Sequence, residues 1–397
     1  MGKKINILYV FHVSAIGGGS LCLLNLVKEL DKELYNPIVL LKSYGPICEE
    51  LEKVGATIFI EPLISTVPYN RSLLKFNTIK QILKVLISIK NLKNWIKRTE
   101  ADIVHLNTMM MYPYAIPARQ LNRKVIVHAR EHWPANENVF QLKFAKRIIA
   151  KYADLVIAIN KTSAAIIDLP DKTEIIYDWL DFKGRDNFID FNTIFGQNFE
   201  KLKIFLFLGG ISKIKGALQV VKVFHENMRG NDTRLLFVGC DSKQILYTGW
   251  KGTIKKKLHF FNYFTYSDKV KKIIQKDDRI ICIPSTNQVK SLFDQAYCTV
   301  VFPTIPHAII PIAESIYLRK PILSAETPEA LEYSNQGKGA KLFKMNDEDE
   351  FTTGLIYMLN NKELINKNAQ DNSEFIKKMF SKEKNSFKLN QLYSRIL

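Results

Sequence analysis

Four short stretches of this 397-residue chain combine residue types that can handle an anion, a proton or a sugar hydroxyl. "AIGGGS" (15–20) sets Gly17, Gly18 and Gly19 between an apolar run and a helical pattern. "GGISKIKG" (209–216) repeats the arrangement with Lys213 and Lys215 at the turn. Glycine lets a ligand approach the main chain, and a helix N-terminus offers unpaired N–H groups and positive potential, so either turn suits a phosphate or a polar sugar. A lysine beside such groups suits a diphosphate. A tight turn requiring positive φ would equally explain the first stretch, and a solvated helix start the second. The dinucleotide fingerprint G-x-G-x-x-G fails, because its third glycine falls on Cys22 and the next strand ends in Lys42 rather than an acid; no G-x-x-x-x-G-K-[ST] is present either.

The third stretch, "HAREH" (128–132), fits the inverted zinc-protease pattern H-x-x-E-H. That chemistry needs a helix to bring both histidines to one face, whereas His128 ends a strand-like run and Pro134 follows closely, so zinc is not expected. In the fourth, "PTIPHAIIPIAES" (303–315), Glu314 is expected in the first turn of a helix that stops before Pro321. A carboxylate there can accept two ribose hydroxyls, or simply complement the helix dipole. The acids of "DED" (347–349) open the helical pattern "DEDEFTTGLIYML" and are read as dipole partners, so no metal site is expected. His105, ending "DIVHL", either faces a ligand or is a satisfied core histidine.

Elements that position these groups alternate along the chain. The runs "INILYVF", "PIVLL", "TIFI", "DIVHL", "KVIVH", "DLVIAI" and "EIIY" are separated by helical patterns. Apolar strands of this kind indicate a parallel sheet covered on both faces. After a polar stretch the alternation resumes with "IFLFLGG", "RLLFVG", "RIICI", "TVVFP" and "PILSA". Two doubly wound α/β domains follow, spanning 1–182 and 203–378, with a linker near 182–202 and a final helix over 379–397. The first helix is expected to carry Leu23, Val27, Leu30 and Leu34 on one face, with Ser20 as its N-cap.

Composition narrows the setting. Five scattered cysteines with no C-x-x-C pair suggest a reducing cytoplasm rather than a disulfide framework. No run of about 20 uncharged apolar residues is present to span a bilayer. The net charge of +18 favours anionic partners. Two stretches are basic and apolar together: "IKQILKVLISIKNLKNWIKR" (79–98), which fits an interfacial helix, and "YTGWKGTIKKKLHFFNYFTY" (247–266), with Trp250, Phe260, Phe261 and Tyr263 among lysines. Each is equally compatible with an ordinary covered helix. No nucleic-acid module is recognised, and no nucleic-acid partner is expected.

In order and spacing the motifs resemble those of the GT-B glycosyltransferases, in particular the retaining family 4 of nucleotide-sugar enzymes. The resemblance runs through "ILYVF…GGGS", "ADIVHLN", "KVIVHAREHW", "YADLVIAIN", "IIYDWLD", "FLGGISKIKG", "RLLFVG" and "PIAESIYLRKPIL", and the final "FSKEKNSFKLNQLYSRIL" is similar to the family's last helix, which crosses back to the first domain. It implies two Rossmann-like domains facing across a cleft, a nucleoside diphosphate sugar as donor substrate, no cofactor and no metal. Gly17, Gly18 and Gly19 would then approach the donor diphosphate and sugar, Lys215 would be the phosphate lysine, and Glu314 the ribose ligand as second glutamate of E-x7-E. Gly210, Lys213, His307 and Ile310 join the donor side, and His128, Arg130 and Glu131 are the candidates for contacting sugar or acceptor in catalysis. The departures are Pro306 in place of the first glutamate, Gly210 in place of a basic residue, and Asp178-Trp179-Leu180-Asp181 in place of N-G-x-D. The expected activity is sugar transfer to a lipid-linked or surface-polysaccharide acceptor, on the inner face of the cell membrane. A sugar-nucleotide epimerase of the same fold and an inactive nucleotide-binding subunit are the alternatives.

Overall fold

A computed structural model describes residues 3–67, 76–133, 139–182, 188–196, 198–230, 232–245, 249–260 and 264–397. Thirteen strands form two sheets among these residues. The first holds β1 (Ile5–Val10), β2 (Tyr35–Leu41), β3 (Thr57–Ile60), β4 (Ile103–Leu106), β5 (Lys124–Ala129), β6 (Leu155–Ala158) and β7 (Thr173–Ile175), in the order 3-2-1-4-5-6-7. The second holds β8 (Lys203–Phe207), β9 (Thr233–Val238), β10 (Ile280–Ile283), β11 (Cys298–Val301), β12 (Ile322–Ala325) and β13 (Lys341–Phe343), in the order 10-9-8-11-12-13. Every pairing is parallel. The fold is therefore α/β, with two doubly wound Rossmann-like domains. Twelve of these strands coincide with the apolar runs; β13 is three residues long at a sheet edge and carries too short an apolar signal to stand out.

Side-chain alternation divides each sheet between two cores. In β1, Leu8 and Val10 face a core with Leu40, Val104 and Leu106, whereas Ile7 and Tyr9 face another with Val39, Ile103 and Ile126. In β8, Phe205 and Phe207 go one way and Ile204 and Leu206 the other. Residues 1–180 and 380–397 form one compact unit, and residues 181–379 the second. The chain returns to the first unit through the helix Lys382–Ile396, whose Leu389, Leu392 and Tyr393 are buried against Ile7, Tyr9 and Tyr35. The stretch read as a linker is not all connector: its helix Phe191–Phe195 buries Phe191 completely in a core of the second unit.

The first helix runs only over Gly18–Lys28, so Leu34 lies beyond it and is 52 % exposed. The stretch 79–98 is helical, within Phe76–Arg98. Of the second basic stretch, Gly249–Phe260 is helical and Trp250 is exposed, while Tyr247, Phe261 and Tyr263 lie outside the described residues. No helix among the described residues is long and apolar enough to cross a membrane.

Two glycines separate conformational need from empty space. Gly216 has φ +71, and a Cβ there would lie 2.1 Å from the Phe302 carbonyl oxygen. Gly18 has no positive φ, and a Cβ there would meet nothing within 4 Å. Gly216→Ala should cost at least about 2 kcal/mol of stability, from left-handed strain plus the clash. Gly18→Ala should be neutral or stabilising by up to about 1 kcal/mol. Denaturant melts of both variants against the parent check the contrast.

Candidate active site

In doubly wound sheets, ligands sit at the carboxyl edge where strand order reverses. In the first unit that point lies between β1 and β4. Gly17, the N-cap of the helix after β1, is in extended backbone at φ −174. Ser20, expected as the cap, is instead inside the first turn, where its Oγ accepts from the Gly17 amide at 2.9 Å and donates to the Ala15 carbonyl at 2.7 Å. None of Gly17, Gly18 and Gly19 has positive φ, so a turn requirement does not explain them. Only Gly19 is close-packed: a Cβ there would lie 3.1 Å from the Phe11 ring. The other two leave open space beside the first amides of a helix.

Asn107, just after β4, ties this turn to the end of β5. Its Nδ2 donates to the Gly19 carbonyl at 3.4 Å, and its Oδ1 accepts from Arg130 Nε at 3.2 Å. Arg130 Nη1 also donates to both carboxylate oxygens of Asp178, at 2.7 and 2.6 Å, with the two side chains only 9 % and 12 % exposed. Burial opposes the Arg130 charge, but the surrounding groups, Asp178 foremost, together outweigh it and the guanidinium stays protonated. Glu131 turns back onto the chain: it accepts from the Thr108 hydroxyl, from the Met109 amide at 3.1 Å and from the Arg130 amide at 3.2 Å, which secures the turn Met109–Tyr114.

His128, one residue before the end of β5, has its Nδ1 3.3 Å from His105 Nε2 and 3.4 Å from Arg130 Nη2; its Nε2 is buried without a partner. His105 is the satisfied core histidine, fully buried, with Nδ1 2.7 Å from Tyr393 Oη. "HAREH" is strand and then loop, and no three His, Cys, Asp or Glu side chains cluster to hold a metal among the described residues.

In the second unit the corresponding point lies between β8 and β11. Thr304, after β11, joins the two loops there: its amide donates to the Ile214 carbonyl at 2.9 Å and its hydroxyl to the Lys213 carbonyl at 3.0 Å. The side chains of Lys213 and Lys215 are solvent-accessible. Protein crowding lowers the Lys215 pKa below the ordinary lysine value, against a pull upward from the nearby Glu314 carboxylate. Lys215 makes no hydrogen bond or ion pair among the described residues.

The helix start beside Lys215 is less open than its sequence implies. In Ala217–Asn227 the Ala217 amide donates to the Ser212 carbonyl at 3.2 Å and the Leu218 amide to Tyr266 Oη at 2.9 Å, so these two N–H groups are not free for an anion. Glu314 lies in the second turn of Ile310–Tyr317, not the first. Ile310 begins that helix, and its amide has no acceptor among the described residues. His307 is half-buried beside Pro306, with Nδ1 2.9 Å from the Ile305 carbonyl oxygen. Gly210, at φ +58, packs against Gly239, where a Cβ would come within 2.9 Å of the Gly210 Cα. Asp347 caps the helix Glu348–Asn360 by accepting from the Glu350 amide at 2.9 Å.

Residues 16–182 match the family model for glycosyltransferase family 4, and residues 190–378 that for glycosyl transferases group 1. The chain belongs to the group 1 glycosyltransferases. Solved structures share the fold of this glycosyltransferase at low identity. Anabaena Alr3699/HepE, in complex with UDP and glucose, is 15 % identical with a TM-score of 0.74, covering 98 % of this chain and 99 % of that one. Sucrose-phosphate synthase from Thermosynechococcus elongatus is 14 % identical, TM-score 0.72, covering 99 % of each chain. The lipopolysaccharide outer core galactosyltransferase WaaB is 15 % identical, TM-score 0.58, covering 96 % and 99 %. No curated protein sequence matches.

Sequence reading of this glycosyltransferase missed Asn107, Thr304, Tyr266 and Tyr393. Asn107 directly follows the "DIVHL" strand and was within reach, because strand ends carry ligands; the others act across 90 or more residues, or through a single hydroxyl, and leave no local pattern.

Burial, reinforced by the Arg130 charge, pushes His105 down to about 3 and His128 well below the ordinary imidazole value. Unfolded histidine takes up a proton near pH 6.5, so below that pH the unfolded chain binds more protons and folding stability falls. Folding stability should therefore drop as pH is lowered from about 7 to about 5, by up to about 1.4 kcal/mol per pH unit for each histidine, and the melting temperature should fall with it. His128→Asn should show a shallower pH slope in the same thermal scan.

Proposed function

We propose that this enzyme transfers a sugar, with retention of configuration, from a nucleoside diphosphate donor held by the second unit. The observation that carries this is the approach of Lys215, on the loop after β8, to Glu314, in the second turn of Ile310–Tyr317, at the carboxyl edge of the second sheet, where the lysine has no competing ion pair. A cation and a carboxylate at one switch point complement the two ends of a nucleoside diphosphate: the phosphates and the ribose hydroxyls. As the glycosidic bond breaks, negative charge grows on the leaving diphosphate, and Lys215 with the Ile310 amide stabilises it without a divalent metal. In the first unit, Gly17 and Gly18 leave open space for a substrate hydroxyl at the carboxyl edge of that unit's sheet, and His128 is a polar group at the same edge. That HepE binds UDP and glucose supports a uridine donor as the first to try.

The acceptor we infer is a lipid-linked or surface-polysaccharide glycan at an anionic membrane. Helix Phe76–Arg98 exposes Ile79, Leu83, Leu86 and Ile87, and helix Val139–Tyr152 exposes Phe140 and Phe144; both pack on the segment Met109–Gln120. Exposed Lys80, Lys90, Lys143 and Arg147 lie among them. Apolar side chains with interleaved cations suit the headgroup region of an anionic bilayer.

Lys215→Ala should weaken UDP binding by about 1.5–3 kcal/mol while leaving uridine binding nearly unchanged, and Glu314→Gln should weaken both ligands alike. Calorimetry with the two ligands checks this, and equal affinities in both variants and the parent would overturn the donor site. A UDP-sugar consumed without acceptor to give free sugar would favour the epimerase alternative, and binding without turnover the inactive subunit.

For the membrane, co-sedimentation with anionic vesicles should be strong at low salt and weaken as salt screens the lysines. Leu83→Ser combined with Leu86→Ser should reduce it by roughly tenfold or more, given about 1.5–3 kcal/mol for each buried leucine side chain. Equal binding to neutral vesicles would remove the charge argument.

A further inference from the structure

We propose that Tyr393, acting through His105, is a positioning residue that together with Arg130 holds His128 in the tautomer protonated on Nε2, so that His128 meets a ligand as a hydrogen-bond donor. The proposal rests on the reading of His128 as a substrate-facing group.

Polarity follows from the one member of the cluster that cannot accept. Arginine carries only N–H donors and keeps its charge, so with Arg130 Nη2 at 3.4 Å the Nδ1 of His128 must present its lone pair. His105 Nε2, 3.3 Å from the same lone pair, then carries a proton. A neutral His105 has its lone pair on Nδ1, which accepts from the Tyr393 hydroxyl at 2.7 Å. The Tyr393 oxygen is left to accept from the Tyr9 hydroxyl at 2.9 Å, which ends the chain. Each link has one donor and one acceptor, and the order cannot be reversed without placing an N–H against the Arg130 cation.

The last group in the sequence is His128 Nε2–H. It is buried without a partner, and buried donors are rarely left unmatched unless something else supplies the acceptor. A neutral imidazole in this tautomer donates to an oxygen such as a sugar hydroxyl; it is not arranged to take up a proton there. Tyr393 belongs to the helix Lys382–Ile396, so the chain's last helix sets the hydrogen-bonding character of a group at the end of β5. Its ring packs 5.9 Å from that of His105 and 5.7 Å from that of Tyr35, so removing the hydroxyl alone keeps the core filled.

Long-range proton–nitrogen spectra of the full-length chain, labelled with 15N-histidine and recorded near neutral pH, read the tautomers directly. His105→Gln and His128→Gln identify the two signals. In the parent chain both histidines should give the pattern of a neutral ring protonated on Nε2. In Tyr393→Phe the His105 signals should move toward a mixture of tautomers and those of His128 should shift with them, with the melting temperature of the variant confirming that it folds. A parent His128 protonated on Nδ1, or present as imidazolium, overturns the proposal, as do tautomers of both histidines that stay unchanged in Tyr393→Phe. The parent spectrum needs neither a variant nor a substrate, so its outcome stands apart from that of the UDP-binding experiment.

Discussion

Arg130 places a full positive charge where almost no water reaches it, and much of the first unit's ligand edge is arranged around keeping it there. A buried guanidinium is tolerable only with its donors satisfied and its charge matched. Asp178 supplies the countercharge, Asn107 takes the Nε–H, and the two imidazoles nearby stay neutral. Because Asn107 also reaches the Gly19 carbonyl, the same charge fixes the glycine turn relative to the end of β5. Asp178 stands at the start of the stretch where the N-G-x-D turn of related enzymes was expected, and its partnership with Arg130 gives that departure a physical role.

The second unit solves a different problem. Its cation is accessible and lacks a salt bridge, and the neighbouring helix start is partly closed by Ser212 and Tyr266. An anion arriving there meets Lys215 and the start of Ile310–Tyr317 rather than the first amides of Ala217–Asn227. The loops that carry these groups are held by Thr304, whose amide and hydroxyl take the Ile214 and Lys213 carbonyls, and by Gly216, which admits the Phe302 carbonyl at a distance no side chain permits. A loop with an unpaired cation differs from the first unit, where the cation is already matched, and this difference supports the proposal that phosphate binds in the second.

Much of this is legible in the amino-acid sequence. Twelve strands and the parallel sheets follow from apolar runs recurring between helical patterns, because a strand buried on both faces has no choice but to be apolar throughout, and the family from the order and spacing of its motifs. The glycines and lysines mark the strand ends where the proposed ligand sites lie. Helix starts were less legible: Ser20 was expected as a cap and Glu314 in a first turn, since boundaries depend on which hydrogen bonds win locally and not on periodicity.

By itself the sequence determined the fold class, the two-unit organisation of strands and the positions of Lys215 and His128 near strand ends, since each depends on residues near one another in the chain. Only the tertiary structure decided what those residues are free to do. It engaged the Ala217 and Leu218 amides, turned Glu131 onto its own backbone, paired Arg130 with Asp178 across 48 residues and brought Tyr393 to His105 across 288. Hydrogen bonds and ion pairs of that span are single contacts between distant segments, and no periodic pattern records them.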